Sequence, residues 1–481
     1  MNETIIETDK TYLSEIMTEL PSGVLLNKGV TGCGGTYVEL HSPRNSIILV
    51  PTVELVKNKS KDGFIVYAQV KEKDIERYLA SNIPHKKIIA TYDALNKIIN
   101  LDLTDYFLLI DEYHILFNSY AYRNDAILFL LKNYNKFLGY CFMTATPLNN
   151  DIILDEIKHL PRISIHWTRA IPIKLNIIDT AFTSKALLKI LIEPTEYNYH
   201  IFLNSVRTIR DIVTKSGITD YKIVCSESSK ANIKTLKVGS TLDPPCKYNF
   251  YTATAFEGCD IYDPIGKTII LSDTNISTTV LDISTLIRQI SGRLRDSKFK
   301  NEITLILNTS KHRYVGTSET IFKANVEENI KMGKYREQKF KEDPDDLFRQ
   351  TELKLFNKET WYSMYLNKIK NEIFYDDNLR KVDEYNYKLI SEIYKNTISV
   401  ICEAEQNGFT CSAEEPQMNW IEERLENREY TYLELEELFK EDFLNRGIEF
   451  SGTTLKDYFP PFTKTRKTRN KMKETYYKFK F

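Results

Sequence analysis

The chain has 481 residues, with 65 Lys and Arg, 66 Asp and Glu, and a formal net charge of -1. Hydrophobic residues make up 42%, enough to build buried cores, and 17 Gly and 15 Pro exclude collagen-like or low-complexity character. The length predicts two to four domains, and the charge balance argues against a uniformly basic nucleic-acid coat while leaving room for local basic surfaces.

Seven cysteines (Cys33, Cys141, Cys225, Cys246, Cys259, Cys402 and Cys411) form no CxxC pair. Neither a disulfide framework nor a zinc site is indicated, and reduced thiols are expected. Residues 1–10 carry Glu3, Glu7 and Asp9 and no apolar stretch, so no signal peptide is predicted. No apolar run is long enough to span a bilayer. The expectation is a soluble, cytoplasmic protein.

Taken in chain order, short apolar runs at residues 24–26, 46–50, 64–67, 87–90, 106–110 and 139–143 read as strands buried on both faces of a parallel sheet. Helical patterns at 73–81 and 122–133 lie between them. A second series of strands is predicted at 174–178, 199–203, 222–225, 249–252, 268–272 and 303–307, with helices at 185–192, 206–215 and 284–294. This alternation predicts an α/β fold with two lobes, 1–168 and 169–312, joined near 161–172.

After about residue 311 the texture changes, and 313–481 is expected to be a mostly helical accessory region. Residues 349–407 and 416–445 read as helical. Glu422, Glu423, Glu426, Glu429, Glu434, Glu436, Glu437 and Glu441 read as a solvated helix face. Residues 432–443, Arg446-Gly447 and 453–459 leave a helix–turn–helix or winged-helix element open, but an all-helical domain packed on the lobes is the favoured reading. Residues 464–481 hold eight Lys or Arg against one Glu, interleaved with Tyr476, Tyr477, Phe479 and Phe481. Such a tail can track phosphates and stack bases, or remain solvated.

The strongest local signal follows the first strand: Lys28-Gly29-Val30-Thr31-Gly32-Cys33-Gly34-Gly35-Thr36. A strand running through a glycine-rich loop into a helix can wrap phosphates with backbone N–H groups. The pattern GxxxxGK[ST] fits Gly29 to Thr36 with one failure, Gly35 at the lysine position. Next, Leu108-Leu109-Ile110-Asp111-Glu112-Tyr113-His114 ends an apolar strand in two acids. There Asp111, with the Thr36 hydroxyl, can hold Mg2+, and Glu112 can deprotonate an attacking water. Met143-Thr144-Ala145-Thr146-Pro147 ends another strand. The second lobe offers Thr252 to Asp260 and Arg288-Gln289-Ile290-Ser291-Gly292-Arg293-Leu294-Arg295. Gln289 and Arg293 share one helix face. No HExxH or GxSxG occurs, which counts against metal-dependent and serine hydrolases.

The ordered set resembles the superfamily 2 helicases and translocases with a DExH box, over roughly residues 20–310. The resemblance implies two tandem RecA-like lobes with ATP and Mg2+ in the cleft between them. Lys28, Gly29, Thr31, Gly32, Cys33, Gly34, Gly35 and Thr36 would form the phosphate loop. Glu257, Gly258 and Asp260 would face the nucleotide from the second lobe. Asp111 and Glu112 match the catalytic acids, and Gln289, Arg293 and Arg295 the arginine-finger motif. Thr144 and Thr146 match the motif coupling hydrolysis to strand contact. Pro51, Thr52, Thr91, Tyr92, Asn204, Ser205 and Thr252 match positions that touch nucleic acid, with single-stranded DNA the expected partner.

Two departures qualify the match. Gly35 replaces the phosphate lysine, and Lys28, just before the loop, is expected to reach back and supply the missing ammonium. The arginine motif reads GRxR, with Asp296 where its last arginine normally stands, so Arg293 is expected to be the finger and Arg295 to need a helix end to turn inward. GRxR is similar to some phage and viral replication helicases, which suggests DNA replication or recombination of a phage or mobile element, with replication proteins as partners. The alternative is a helicase-like nucleic-acid-binding protein that has lost turnover.

Overall fold

The computed structural model describes the chain apart from residues 1–2, 100–103, 170, 234, 310–317, 343–345, 357–363, 415–420, 422–423, 446–447, 461, 470–471 and 480–481. The expected lobe boundary at 312, Glu422, Glu423, the Arg446-Gly447 turn and Phe481 therefore lie outside the described residues.

The first lobe is an eight-stranded sheet: β1 (Glu3–Thr8), β2 (Val24–Asn27), β3 (Ser46–Val50), β4 (Phe64–Val66), β5 (Lys87–Thr91), β6 (Phe107–Asp111), β7 (Gly139–Thr144) and β8 (Arg162–Trp167). The order is β1-β8-β2-β7-β6-β3-β5-β4, and every pairing is parallel. Residues such as Ile47, Ile48, Leu49 and Leu108 to Ile110 are fully buried, because helices cover both faces. Parallel strands bring their carboxyl ends to one edge, so Asn27, Val50, Thr91, Asp111 and Thr144 emerge side by side.

The predicted strands of this lobe all form. The edge strand β1 and its partner β8 were not anticipated, and β8 occupies the stretch read as the joint between lobes. They are held by pairing with each other, Glu3 opposite Arg162 through Thr8 opposite Trp167, and β1 stays largely exposed at the edge of the sheet. A pairing across some 160 positions leaves no local signature.

The second lobe contains β9 (Ile173–Asp179), β10 (Asn198–Phe202), β11 (Tyr221–Val224), β12 (Tyr248–Tyr251), β13 (Gly266–Ser272) and β14 (Glu302–Leu307). Its seventh strand comes from the carboxyl-terminal region, after the antiparallel pair β15 (Leu366–Ile369) and β16 (Glu372–Tyr375): it is β17 (Phe409–Glu414), parallel to β9. The order is β11-β12-β10-β13-β14-β9-β17. The molecule thus has two tandem RecA-like α/β lobes followed by a mostly helical region.

That region distributes itself over both lobes. The helix Asp377–Ser391 buries Leu379 and Val382 in the first-lobe core and Leu389 in the second. The Tyr120 hydroxyl donates to Asp376 Oδ2 (2.8 Å), and Asn124 Nδ2 to Asn367 Oδ1 (2.9 Å). The last segment is not all-helical. The strands β18 (Glu429–Thr431), β19 (Phe462–Arg469) and β20 (Met472–Phe479) form an antiparallel sheet in the order β18-β20-β19. The helices Tyr432–Asn445 and Gly452–Tyr458 lie between β18 and β19 in the chain, a winged-helix order of elements. Alternating Thr, Tyr and Phe favour strand over helix there. Among the described residues no helix is long and apolar enough to cross a membrane.

Candidate active site between the lobes

The glycine loop leaves β2 and enters the helix Gly35–His41. Among the described residues no protein acceptor takes the N–H groups of Thr31, Gly32, Cys33 or Gly34, whereas Gly29 N–H is satisfied by Asn27 Oδ1 (2.9 Å). Lys28 folds back beneath the loop. Its ammonium lies 2.9 Å from Glu112 Oε1 and 3.3 Å from Asp111 Oδ1, and the residue is only 6% exposed. Thr36 Oγ1 donates to Asp111 Oδ2 at 2.6 Å.

Gly35 lets the Lys28 stem pass. A Cβ at position 35 would sit 2.6 Å from Met143 Sδ and 3.2 Å from Lys28 Cδ. Burial alone would pull the Lys28 pKa down, but Asp111 and Glu112 more than offset it and hold the ammonium above the usual lysine value. Burial likewise pushes up the Cys33 thiol, which donates to Lys28 O (3.7 Å) and is no poised nucleophile.

Glu112 begins the turn after β6 in the left-handed region (φ 55), a strained conformation for a residue with a side chain. Tyr92 braces it: the hydroxyl donates to the carbonyls of Asp111 (2.5 Å) and Glu112 (3.2 Å). Thr91 and Tyr92, matched by sequence to strand-contacting positions, are buried: Thr91 pairs with Val50 at the end of β5, and Tyr92 turns in beneath the Asp111 and Glu112 backbone. Thr144 Oγ1 donates to Glu112 Oε2 (3.0 Å), and His114 Nδ1 lies 2.8 Å from Thr144 Oγ1.

The second lobe closes directly onto this cluster. Gln289 Nε2 donates to Glu112 Oε2 (2.8 Å) and Thr146 Oγ1 (3.2 Å). Glu257 Oε1 is 3.5 Å from His114 Nε2. The two arginines divide in a way the motif spacing did not anticipate. Arg293 is buried, with its guanidinium bonded to Gln289 O, Gln289 Oε1 and Cys259 O. Arg295 faces the loop: a Cβ on Gly32 would collide with its guanidinium, and its Nε donates to Asp260 Oδ1 (2.6 Å). The helix stops at Ser291, so Arg295 leaves in the direction of the first lobe.

A groove of about 530 Å³ runs across the lobes on the other side of the motif helices. Pro51, Thr52 and Arg123 wall it from the first lobe, Asn204 and Ala253 from the second, and Tyr385 from the helix Asp377–Ser391. Asn204 Oδ1 accepts from Ala253 N (3.1 Å), and Arg123 Nη1 donates to Pro51 O (2.7 Å). Ser205 and Thr52 serve as helix N-caps at this edge, while Thr252 is buried and donates to Val224 O (3.2 Å). Gly258 packs against Leu55, bringing the second-lobe loop onto the helix Val53–Asn58.

Several contributors were not among the sequence candidates. Trp167 Nε1 donates to Lys28 O (2.8 Å) and Arg288 Nη2 to Gly29 O (3.3 Å) across the cleft. Arg288 sits beside Gln289 in the motif, which was the available signal; Trp167 and Arg123 belong to elements without motifs. Lys59 lies with Asp260 on the wall of a cleft cavity of about 490 Å³.

Burial would push the Glu112 carboxyl up, but Lys28, His114 and Arg293 outweigh it and lower the pKa from 4.5 to about 2. Because the folded-state pKa lies below the unfolded value, this contribution to stability is full above the unfolded pKa and is lost as pH falls through the folded one. Thermal melts from pH 5 down to about pH 2.5 should therefore show a loss on the order of 3 kcal/mol in wild type. Glu112→Gln should flatten that part of the profile; an unchanged acid limb would contradict the ion pair.

The fold and site define a two-lobed RecA-like α/β protein with a phosphate-type loop in one lobe and arginines from the other closing on it. Among solved structures, the chain is similar to S. cerevisiae Dbp5 bound to RNA and ADP BeF3, at 14% identity and a TM-score of 0.42 over 60% of this chain and 79% of that one. It is also similar to RecG bound to a three-way DNA junction (12%, TM-score 0.38, 63% of this chain and 41% of that one). A hypothetical ATP-dependent RNA helicase from Sulfolobus tokodaii is a further similar structure (16%, TM-score 0.25, 60% and 87%). No protein-family model and no curated protein sequence matches the chain.

Proposed function

We propose that the chain is an ATP-dependent nucleic-acid helicase or translocase of the DExH type, acting on single-stranded DNA in phage or mobile-element replication or recombination. The observation that carries this reading is the Lys28 ammonium between Asp111 and Glu112, under a loop whose N–H groups from Thr31 to Gly34 meet no protein acceptor among the described residues and against which Arg295 closes.

The donor set fits Mg2+ and a nucleoside triphosphate. Thr36 Oγ1 and Asp111 Oδ2 offer two oxygen ligands, as suits a cation that keeps waters and phosphate oxygens. Lys28, the loop N–H groups and Arg295 offer positive charge. When bound, the nucleotide would supply the phosphoanhydride whose cleavage drives the cycle. Lys28 then turns from the carboxylates toward the phosphates. Glu112 loses its nearest cation, its basicity rises, and its Oε takes the proton of the attacking water. Gln289, Thr144 and Thr146 keep that carboxylate oriented. Because Gln289 and Glu257 belong to the second lobe, the same contacts pass lobe closure to the groove walled by Pro51, Thr52, Asn204 and Ala253.

The test is ATP turnover with and without single-stranded DNA or RNA, followed by strand displacement to separate unwinding from translocation. Turnover is expected and should rise with the strand, and Glu112→Gln should lower kcat about 100-fold while nucleotide binding persists. Nucleic-acid binding without turnover in either condition would instead support a helicase-like binding protein, the reading that Gly35 favours.

A further inference from the structure

We propose that the β19–β20 hairpin is a second nucleic-acid site, a basic arm that grips the phosphate backbone of a duplex, distinct from the groove between the lobes. This rests on the nucleic-acid part of the functional reading and not on ATP turnover.

The unit that bears the hairpin is fixed to the second lobe. The helix Gly452–Tyr458 buries Thr454, Leu455 and Tyr458, the Tyr458 hydroxyl donates to Lys215 O (3.0 Å), and Lys215 Nζ pairs with Asp457 (2.9 Å). In a winged-helix order of elements this is the helix that would enter a groove of DNA, and here it is committed to the protein. The hairpin remains available.

Its base and its outer part differ in chemistry. Phe462, Tyr477 and Phe479 pack into the second-lobe core with Phe443 and Phe459. Farther out, Thr463, Lys464, Thr465, Arg466, Lys467, Lys473 and Glu474 are exposed. Among the described residues, Lys467 is the hairpin cation with a carboxylate partner, Glu429. Among the described residues, the outer stretch of the ribbon (463–467 with 473–474) buries no side chain, so it gains little from hydrophobic packing, and clustered like charges cost it stability. An extension of that kind is explained by an anionic partner.

The structure also discriminates among anionic partners. The interleaved aromatics suggested base stacking, but Tyr477 and Phe479 are turned into the core, and Tyr476 is half-buried, its hydroxyl on Glu474 (2.8 Å) and its ring under Lys467 (5.3 Å), so the outer ribbon presents no row of free rings to unpaired bases. What remains is point charge on a two-stranded ribbon. Such a ribbon matches the width of the B-DNA major groove, and its cations match the duplex's dense phosphate charge. The position is continuous with the strand groove. Asn204 lines that groove, and the next residue, Ser205, lines a cavity of about 390 Å³ with Lys185, Arg207 and Lys215, whose far wall is Asp457 of the hairpin-bearing unit.

The test uses the full chain without nucleotide. Fluorescence anisotropy measures binding to a blunt duplex and to one of its single strands across a salt series. The triple variant Lys464→Gln/Arg466→Gln/Lys473→Gln should weaken duplex binding at least tenfold, reduce the salt slope by about 2 to 3, and leave single-strand affinity within about twofold. Lys464→Arg/Lys473→Arg keeps the charge and should bind as wild type, which separates loss of charge from loss of fold. Unchanged duplex affinity in the triple variant, or equal losses on both ligands, would overturn the proposal. Wild type that binds single strands but no duplex overturns it while leaving the functional reading intact; wild type that binds neither removes both.

Discussion

Lys28→Ala should reduce ATP turnover at least 1000-fold, the expected cost of losing the ammonium beneath the phosphate loop, which is placed to meet phosphate charge in the transition state. The substitution also strands two buried carboxylates. Asp111 and Glu112 are both under 5% exposed and share Lys28 as their cation, so its removal should cost about 3–5 kcal/mol in folding stability. Lys28→Met, which retains the stem's volume, assayed well below its melting temperature, distinguishes lost chemistry from lost fold. Turnover equal to wild type in Lys28→Met would remove Lys28 from the mechanism.

The companion variant is Lys28→Ala/Gly35→Lys, which restores a lysine to the usual loop position. It should not recover turnover. Met143 Sδ and Cε lie 2.6 and 2.9 Å from where the new Cβ must go, so the Met143 side chain has to change rotamer inside a close-packed site before the lysine can be seated. Recovery would mean that the loop adapts and that Gly35 is a tolerated loss, with no dependence on the Lys28 route.

Arg295→Ala and Arg293→Ala should fail in different ways. Arg295 reaches the loop at Gly32 from the opposite lobe, so its removal should lower kcat about 1000-fold while nucleotide affinity and melting temperature change little. Its pairing with Asp260 is partly exposed and contributes little stability. Arg293 is 2% exposed and bonded to Gln289 and Cys259, so Arg293→Ala leaves buried carbonyls without donors and should destabilise the second lobe by about 1–3 kcal/mol. Because Arg293 also fixes the Gln289 side chain that bonds Glu112, a fall in kcat should accompany it. Single-turnover kinetics with thermal melts check both. A stable, inactive Arg293→Ala beside a fully active Arg295→Ala would reverse the assignment.

These contrasts mark how far the residues could be read in order. The two series of strands were legible because each is an uninterrupted apolar run that helices bury on both faces, a property written within five or six residues. The loop, the acidic pair and the arginine motif were legible for a related reason: each spans one strand end or one helix turn. Lys28 could be nominated because it adjoins the loop and carries a long stem.

What spacing could not supply was direction. Whether Arg293 or Arg295 turns to the loop depends on the helix ending at Ser291 and on how closely the second lobe seats against Thr31 and Gly32. Tyr92 follows β5, whose neighbours β3 and β4 both come earlier in the chain, and with β3 seated between β5 and β6 the Tyr92 hydroxyl meets the Asp111 and Glu112 carbonyls.

The outer strands β1, β8 and β17 likewise exist through partners far away in the chain. The carboxyl-terminal tail shows the division most plainly. Its composition by itself determined that a dense positive charge stands at one end of a nearly neutral molecule. Only the tertiary structure decided that Tyr477 and Phe479 serve the core while Lys478 between them faces water, because alternate residues of a strand point to opposite faces and one face here meets the second lobe.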